Sequence, residues 1–235
     1  MLLGRFNRTV GGSPVTASPG AGTLTVSSYA PDVVVSLTVL SNNHFDGADA
    51  STSLSDVFSV TWTAAGTELD TAIKKYGASS LRCPAGSNTD AHSGSIPSFD
   101  STADFTIEGW VLYTIADGGS AFWLGDSGGA NFTSRLIMNG ASSQMTVDDA
   151  SGSSFTLAQD TWYHYAIVHD SNAATLTGYI EGTQRAQKTS FSPGTWDTMY
   201  LKHTFFSTEE IHFDEFRLVD GAIYSGSFTP PTGPF

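Results

Sequence analysis

The chain has little with which to staple or charge itself. Cysteine occurs once, as Cys83, so no intramolecular disulfide forms and a cystine scaffold is excluded. Cations are scarce: 10 Lys and Arg stand against 23 Asp and Glu, a net charge of −13. That balance repels polyanions and excludes nucleic acid as a partner. Charged residues of both signs make up 14% of the chain, where about a quarter is usual. No apolar run approaches the roughly eighteen residues of a membrane span, so no membrane insertion is expected. A helical repeat of apolar positions is missing too, nowhere persisting beyond a turn or two. The opening MLLGRFNRTVGG places Arg5 and Arg8 where a signal peptide would carry its apolar stretch. Export by a cleaved leader is therefore not expected, and release of particles by lysis is another exit.

What is present takes over the work of the missing charges: 31 Ser, 28 Thr, 24 Gly and 12% aromatics. Hydroxylated, β-branched and aromatic side chains suit pleated, half-exposed strands and predict an all-β protein. A chain of 235 residues buries one large core without disulfide or metal. Residues 1–22, rich in Gly, Ser, Pro and Thr and free of acids, hold too few large apolar groups to fold alone and read as an extended arm. Thr23–Ser28 and Val33–Leu40 are alternating runs joined by Tyr-Ala-Pro-Asp, a β-hairpin. The first 40 residues sum to +1 and the rest to −14. This asymmetry divides the chain near Ser41 into an arm and hairpin, 1–40, and a body, 41–235.

In the body, Asp104–Thr114 is the strongest strand, with Phe105, Ile107, Val111 and Tyr113 on one face and Trp110 and Leu112 on the other. Apolar residues on both faces predict a central position. Thr161–Asp170 has the same character, Thr175–Ala186 reads as a hairpin closing at Glu181-Gly182, and Ile211–Val219 is the last long strand.

The order of FDG (45–47), SSLRC (79–83), DFTIEGWV (104–111), TWYHYAIV (161–168), GYIEG (178–182) and HFDEFRLVDGAIYSGSFTPP (212–231) resembles the concanavalin A-like lectin/glucanase superfamily, in the laminin G-like form found in phage and marine bacterial proteins. The resemblance implies a two-sheet antiparallel jelly-roll sandwich whose N- and C-terminal strands are adjacent. It also implies a Ca²⁺ where those strands meet, with Asp46 and Asp214 as oxygen ligands. The residues themselves favour a turn-capping Asp46 and a backbone-bonded Asp214, since two carboxylates alone make a poor Ca²⁺ site.

Catalytic signals are weak. The superfamily's glucanases use Glu-x-Asp-x-x-Glu on one strand, and that string is absent. Glu108 is alone on its strand, and Asp214 and Glu215 are neighbours that point to opposite faces. Gly125-Asp126-Ser127-Gly128-Gly129 spells a trypsin-like nucleophile turn, but neither His44 nor His92 has the matching surroundings, so a Gly-rich hairpin loop is the better reading. The chain is accordingly expected not to be an enzyme and to require no cofactor.

For glycan binding, which needs aromatic faces beside planar polar groups, Trp123, Trp196 and Tyr200 are the candidates. The resemblance, with the charge split, points to a non-enzymatic virion surface protein. The leading expectation is a phage head decoration protein, homo-oligomeric and in contact with other virion proteins. The alternative is a carbohydrate-binding adhesin module of a tail fibre or an extracellular protein, with polysaccharide as partner. Ordering the arm costs on the order of 1–2 kcal/mol per residue, which its own few apolar groups cannot return. Arg5, Phe6, Arg8, Val33 and Val35 are therefore expected to contact a neighbouring subunit.

Overall fold

The computed structural model describes residues 23–27, 34–84, 90–114, 120–126, 133–138, 140–203 and 210–235. The arm over 1–22, Val33, the side chain of Val35 and Ser127 lie outside the described residues. In chain order the strands are β1 (Thr23–Ser27), β2 (Val34–Asn43), β3 (Trp62–Ala65), β4 (Glu68–Asp70), β5 (Ser80–Cys83), β6 (Asp90–Ser93), β7 (Phe105–Tyr113) and β8 (Ser120–Asp126). They continue as β9 (Thr133–Met138), β10 (Gln144–Val147), β11 (Ala150–Ser151), β12 (Tyr163–Asp170), β13 (Thr175–Ile180), β14 (Thr183–Thr189), β15 (Met199–His203) and β16 (Ile211–Asp220).

All of the pairings are antiparallel. The larger sheet has nine strands, in the order β1-β2-β16-β7-β12-β13-β14 with β5 also on β16 and β4 on β5; the smaller has seven, in the order β11-β10-β9-β8-β15-β6-β3. The all-β jelly-roll sandwich expected from the sequence is the observed fold. β7 sits between β16 and β12, the central position that its two-faced apolar pattern predicted. The β13–β14 hairpin closes at Glu181 and Gly182, whose φ angles of 50° and 66° are the left-handed pair a type I′ turn requires. A side chain at Gly182 would run into the Phe228 carbonyl, so this turn also seats the C-terminal segment.

The core fills the space between the sheets, with Ile107, Val111, Ile167 and Leu218 from the larger meeting Trp62, Leu136, Met145 and Leu201 from the smaller. Each such buried side chain contributes about 1.5–3 kcal/mol relative to exposure. Trp196 lies in this core, edge-on to Phe99 and Phe105.

The hairpin expected near the N-terminus is β1–β2, and β2 pairs on its other side with β16 from Asn43↔Phe216 to Thr38↔Asp220. The boundary drawn at Ser41 from composition therefore falls inside a strand. Charge changes there, but the hydrogen-bonded ladder does not stop, and the β2 residues on both sides of it belong to the body.

Candidate functional site

The outer faces of the two sheets differ in kind. On the larger sheet, β7 is buried at every position, and so is β16 up to its last residue. Residues 221–235 run over this face: Ala222, Tyr224 and Phe228 pack on Ala166, Val168 and Tyr179. Beneath them lies a buried polar cluster. Glu108, fully enclosed, accepts from Arg217 Nε at 3.0 Å and from its Nη2, from His164 Nε2 at 3.1 Å, and from the Tyr224 hydroxyl at 2.8 Å. A carboxylate only accepts, so His164 donates from Nε2. Burial alone would push Glu108 up, but the charge of Arg217 and the bond from His164 outweigh it and hold Glu108 at about 2. The Arg217 guanidinium also lies 4.0 Å from the Phe235 ring centre. The cluster fixes the covering segment in place, and its ligating capacity is consumed internally.

Asp46 and Asp214 serve one neighbouring corner. Asp46 Oδ1 accepts the Ala78 and Ser79 N–H groups, while Asp214 Oδ2 accepts Lys75 N at 2.7 Å and Tyr76 N at 3.1 Å. Burial pushes Asp214 up to about 7 against the pull of those N–H groups. Its neighbour Glu215, turned away by a bulge and a φ of 54°, accepts the Phe235 N–H and bonds His44, raising the His44 pKa above its usual value. Both aspartates thus clasp a single loop, 75–79, and the positive ends of N–H dipoles face the oxygens where a cation would have to sit. Among the described residues no group of three or more His, Cys, Asp or Glu could hold a metal. This donor set does not fit Ca²⁺.

On the smaller sheet, β6 and β10 are buried on one face only. Along β6 and β10 the interior residues Ala91, Ser93, Met145 and Val147 alternate with partly exposed Asp90, His92, Gln144 and Thr146. The register builds two adjacent cross-strand rows from the alternating positions. One runs Thr63, His92, Tyr200, Gly125, Thr133; the next runs Ala65, Asp90, Lys202, Trp123, Arg135, Thr146. His92 bonds Asp90 at 2.6 Å and keeps 41% of its side chain exposed.

Of the three aromatic candidates, Trp123 and Tyr200 share these rows; Trp123 is described by its backbone, its side chain lying outside the described residues. Tyr200 is 8% exposed, an edge contact rather than a platform. Trp196 requires correction: at 6% exposed in the inter-sheet core it cannot meet a sugar, because its side chain turns inward from a surface loop whose Thr195 and Asp197 are exposed.

A laminin G-type model of the concanavalin A-like lectin/glucanases superfamily matches residues 85–227. The chain belongs to that superfamily. This concanavalin A-like chain shares its fold with domain 4 of AbnA, an extracellular GH43 arabinanase from Geobacillus stearothermophilus, whose structure holds arabinotriose; the two are 17% identical with a TM-score of 0.57, over 80% of this chain and 95% of that domain. The carbohydrate recognition domain of Emp47p is 10% identical, TM-score 0.51, over 79% and 97%. The binding domain of botulinum neurotoxin DC, in complex with SialylT, is 9% identical, TM-score 0.52, over 78% of this chain and 48% of its own length. No curated protein matches the chain by sequence.

The Glu108 cluster of this lectin-like domain escaped sequence reasoning, although a signal existed. Glu108 and Arg217 are each a single charge of their sign facing the same way within long apolar strands, and such charges are buried only when paired.

Proposed function

We propose that the chain is a non-catalytic carbohydrate-binding module whose binding surface is the outer face of the smaller sheet. The observation that carries this reading is the contrast between the two outer faces: one is sealed by the chain's own residues 221–235, and the other presents half-exposed polar residues in register with an aromatic position. Sugars bind where a ring can stack beside planar polar groups, which is what Trp123 among Arg135, His92 and Gln144 would supply. The carbohydrate-bearing relatives lend support by analogy of fold alone. Hydrolysis with retention needs two carboxyl groups about 5 Å apart, whereas in the two rows Asp90 is the one acid, and it is held by His92. A virion surface location, on a phage head or tail fibre, rests on the resemblance and the charge split. In that setting residues 1–22 and the edge of β1 that no described strand pairs join the module to its particle, because both edges of β2 are already paired.

The test is a glycan array on the full chain with Trp123→Ala beside it. Binding that is lost in the variant while its melting temperature holds supports the reading, and a chain that binds no glycan refutes it.

A further inference from the structure

We infer that His92, held by Asp90, presents its Nε2 atom as the hydrogen-bond acceptor for a sugar hydroxyl on the outer face of the smaller sheet, so that His92 determines specificity and Asp90 positions it. The inference rests on the carbohydrate-binding reading and names the ligand group that this face selects.

The other histidines whose side chains are described serve the fold. His164, His169 and His212 are buried, and they bond Glu108, the Ala103 carbonyl and Ser80 respectively. His44 bonds Glu215 and keeps 29% of its side chain exposed. His92, at 41%, is the most exposed of the five. Its Nδ1 lies 2.6 Å from Oδ1 of Asp90, two residues earlier on β6 and therefore on the same face. A carboxylate only accepts, so in the neutral ring the proton sits on Nδ1 and Nε2 carries a lone pair. Among the described residues Nε2 bonds nothing. An exposed pair of this kind adds little to folding stability, so the fold alone does not account for it.

The cross-strand row gives that nitrogen a place to act. Beside His92, Tyr200 on β15 lies low at 8% exposed, and beyond it Gly125 on β8 contributes no side chain. Adjacent strands are about 4.8 Å apart, so this row steps down from His92 over about 10 Å, which is room for one sugar ring. A ring seated there turns its edge, where its hydroxyls are, toward His92. A lone pair on Nε2 selects a hydroxyl, which can donate, over a ring oxygen, a methyl ether or an ionised carboxylate, which only accept. The ligand is therefore a saccharide with an unsubstituted hydroxyl at the position that meets His92.

Two measurements on the full chain test this. Long-range proton–nitrogen NMR of the histidine rings at about pH 8, where imidazoles are ordinarily neutral, should find the His92 proton on Nδ1; a proton on Nε2 overturns the inference. Asp90→Ala should let that proton move to Nε2, whereas Asp90→Asn, whose Oδ1 still accepts from Nδ1, should keep it in place. If Nδ1 holds the proton in Asp90→Ala as well, the positioning role of Asp90 is overturned. The second measurement takes the tightest-binding oligosaccharide of a glycan array and titrates its single-position deoxy and O-methyl analogues against the wild type and His92→Phe. Loss of one hydroxyl should cost the wild type about three- to tenfold in affinity and cost His92→Phe nothing further. Each ratio is taken within one protein, so a change in the variant's stability does not enter it. If every analogue loses as much in His92→Phe as in the wild type, the role of His92 fails and the carbohydrate reading stands. Absence of binding across the array overturns both readings together.

Discussion

Replacing Arg217 by Met should cost about 3–5 kcal/mol of folding stability at pH 7, because it strands the Glu108 carboxylate in a buried site without its countercharge. Glu108 is fully enclosed and would keep only the His164 and Tyr224 donors. The new side chain retains most of the packing that the arginine stem provides, so the loss is electrostatic rather than a cavity effect. Such a cost is a large part of the 5–15 kcal/mol, roughly, that holds a domain together. The variant has a built-in control. In Arg217→Met/Glu108→Gln the charge is gone, and the double variant should recover most of the lost stability, since an apolar or neutral replacement of a buried pair is often close to neutral. Acid should also rescue the single variant. Without Arg217, burial raises Glu108 above its unfolded value, so the folded state holds an extra proton and the deficit grows as pH rises through that range. Urea unfolding followed by tryptophan fluorescence at pH 5 and pH 7 measures all of this. A single-variant cost below about 1 kcal/mol, or a double variant no more stable than the single, would refute the account of the cluster.

Two further expectations concern the corner where Asp214 and Asp46 hold the 75–79 loop. Asp214 titrates at about 7 when folded against 3.8 as a free group, so between those values the folded chain binds more protons than the unfolded one. Its contribution therefore weakens stability as pH rises, by up to about 1.4 kcal/mol per pH unit; Asp214→Asn should flatten that slope in urea titrations from pH 4 to 8, and an unchanged slope counts against the assignment. Calcium should leave the melting temperature where EDTA leaves it, since the carboxylates are already satisfied by N–H donors; a calcium-dependent rise would show that an ion binds the folded state.

The strands legible in the sequence were those whose own periodicity decides their environment. β7 announced itself through apolar residues on both faces, and the β13–β14 turn through Glu181-Gly182, because local backbone chemistry sets both. The candidate site was legible as residue types and not as an arrangement. Trp123 and Arg135 become neighbours through the β8–β9 pairing, and Lys202 joins them only when β15 inserts beside β8, a choice made by the whole core rather than by nearby residues. Trp196 misleads for the related reason that its Gly- and Pro-containing stretch is a surface loop, and composition does not say that this one side chain turns inward. The change of charge at Ser41 marks a real change of composition, yet composition carries no information on which strand will accept β2.

The position of β16 has a consequence for synthesis. It is the last of the described strands, yet it joins β2 and β5 to β7 and so closes the middle of the larger sheet. Until the ribosome has released Ile211–Asp220, β7 has one edge unsatisfied and β2 has no neighbour on that side. A nascent chain must wait with its most apolar strand open to other chains, and loop closure over such distances in sequence is slow. Closure of the larger sheet should therefore wait for β16, and premature termination anywhere before it should yield aggregates instead of a smaller folded domain.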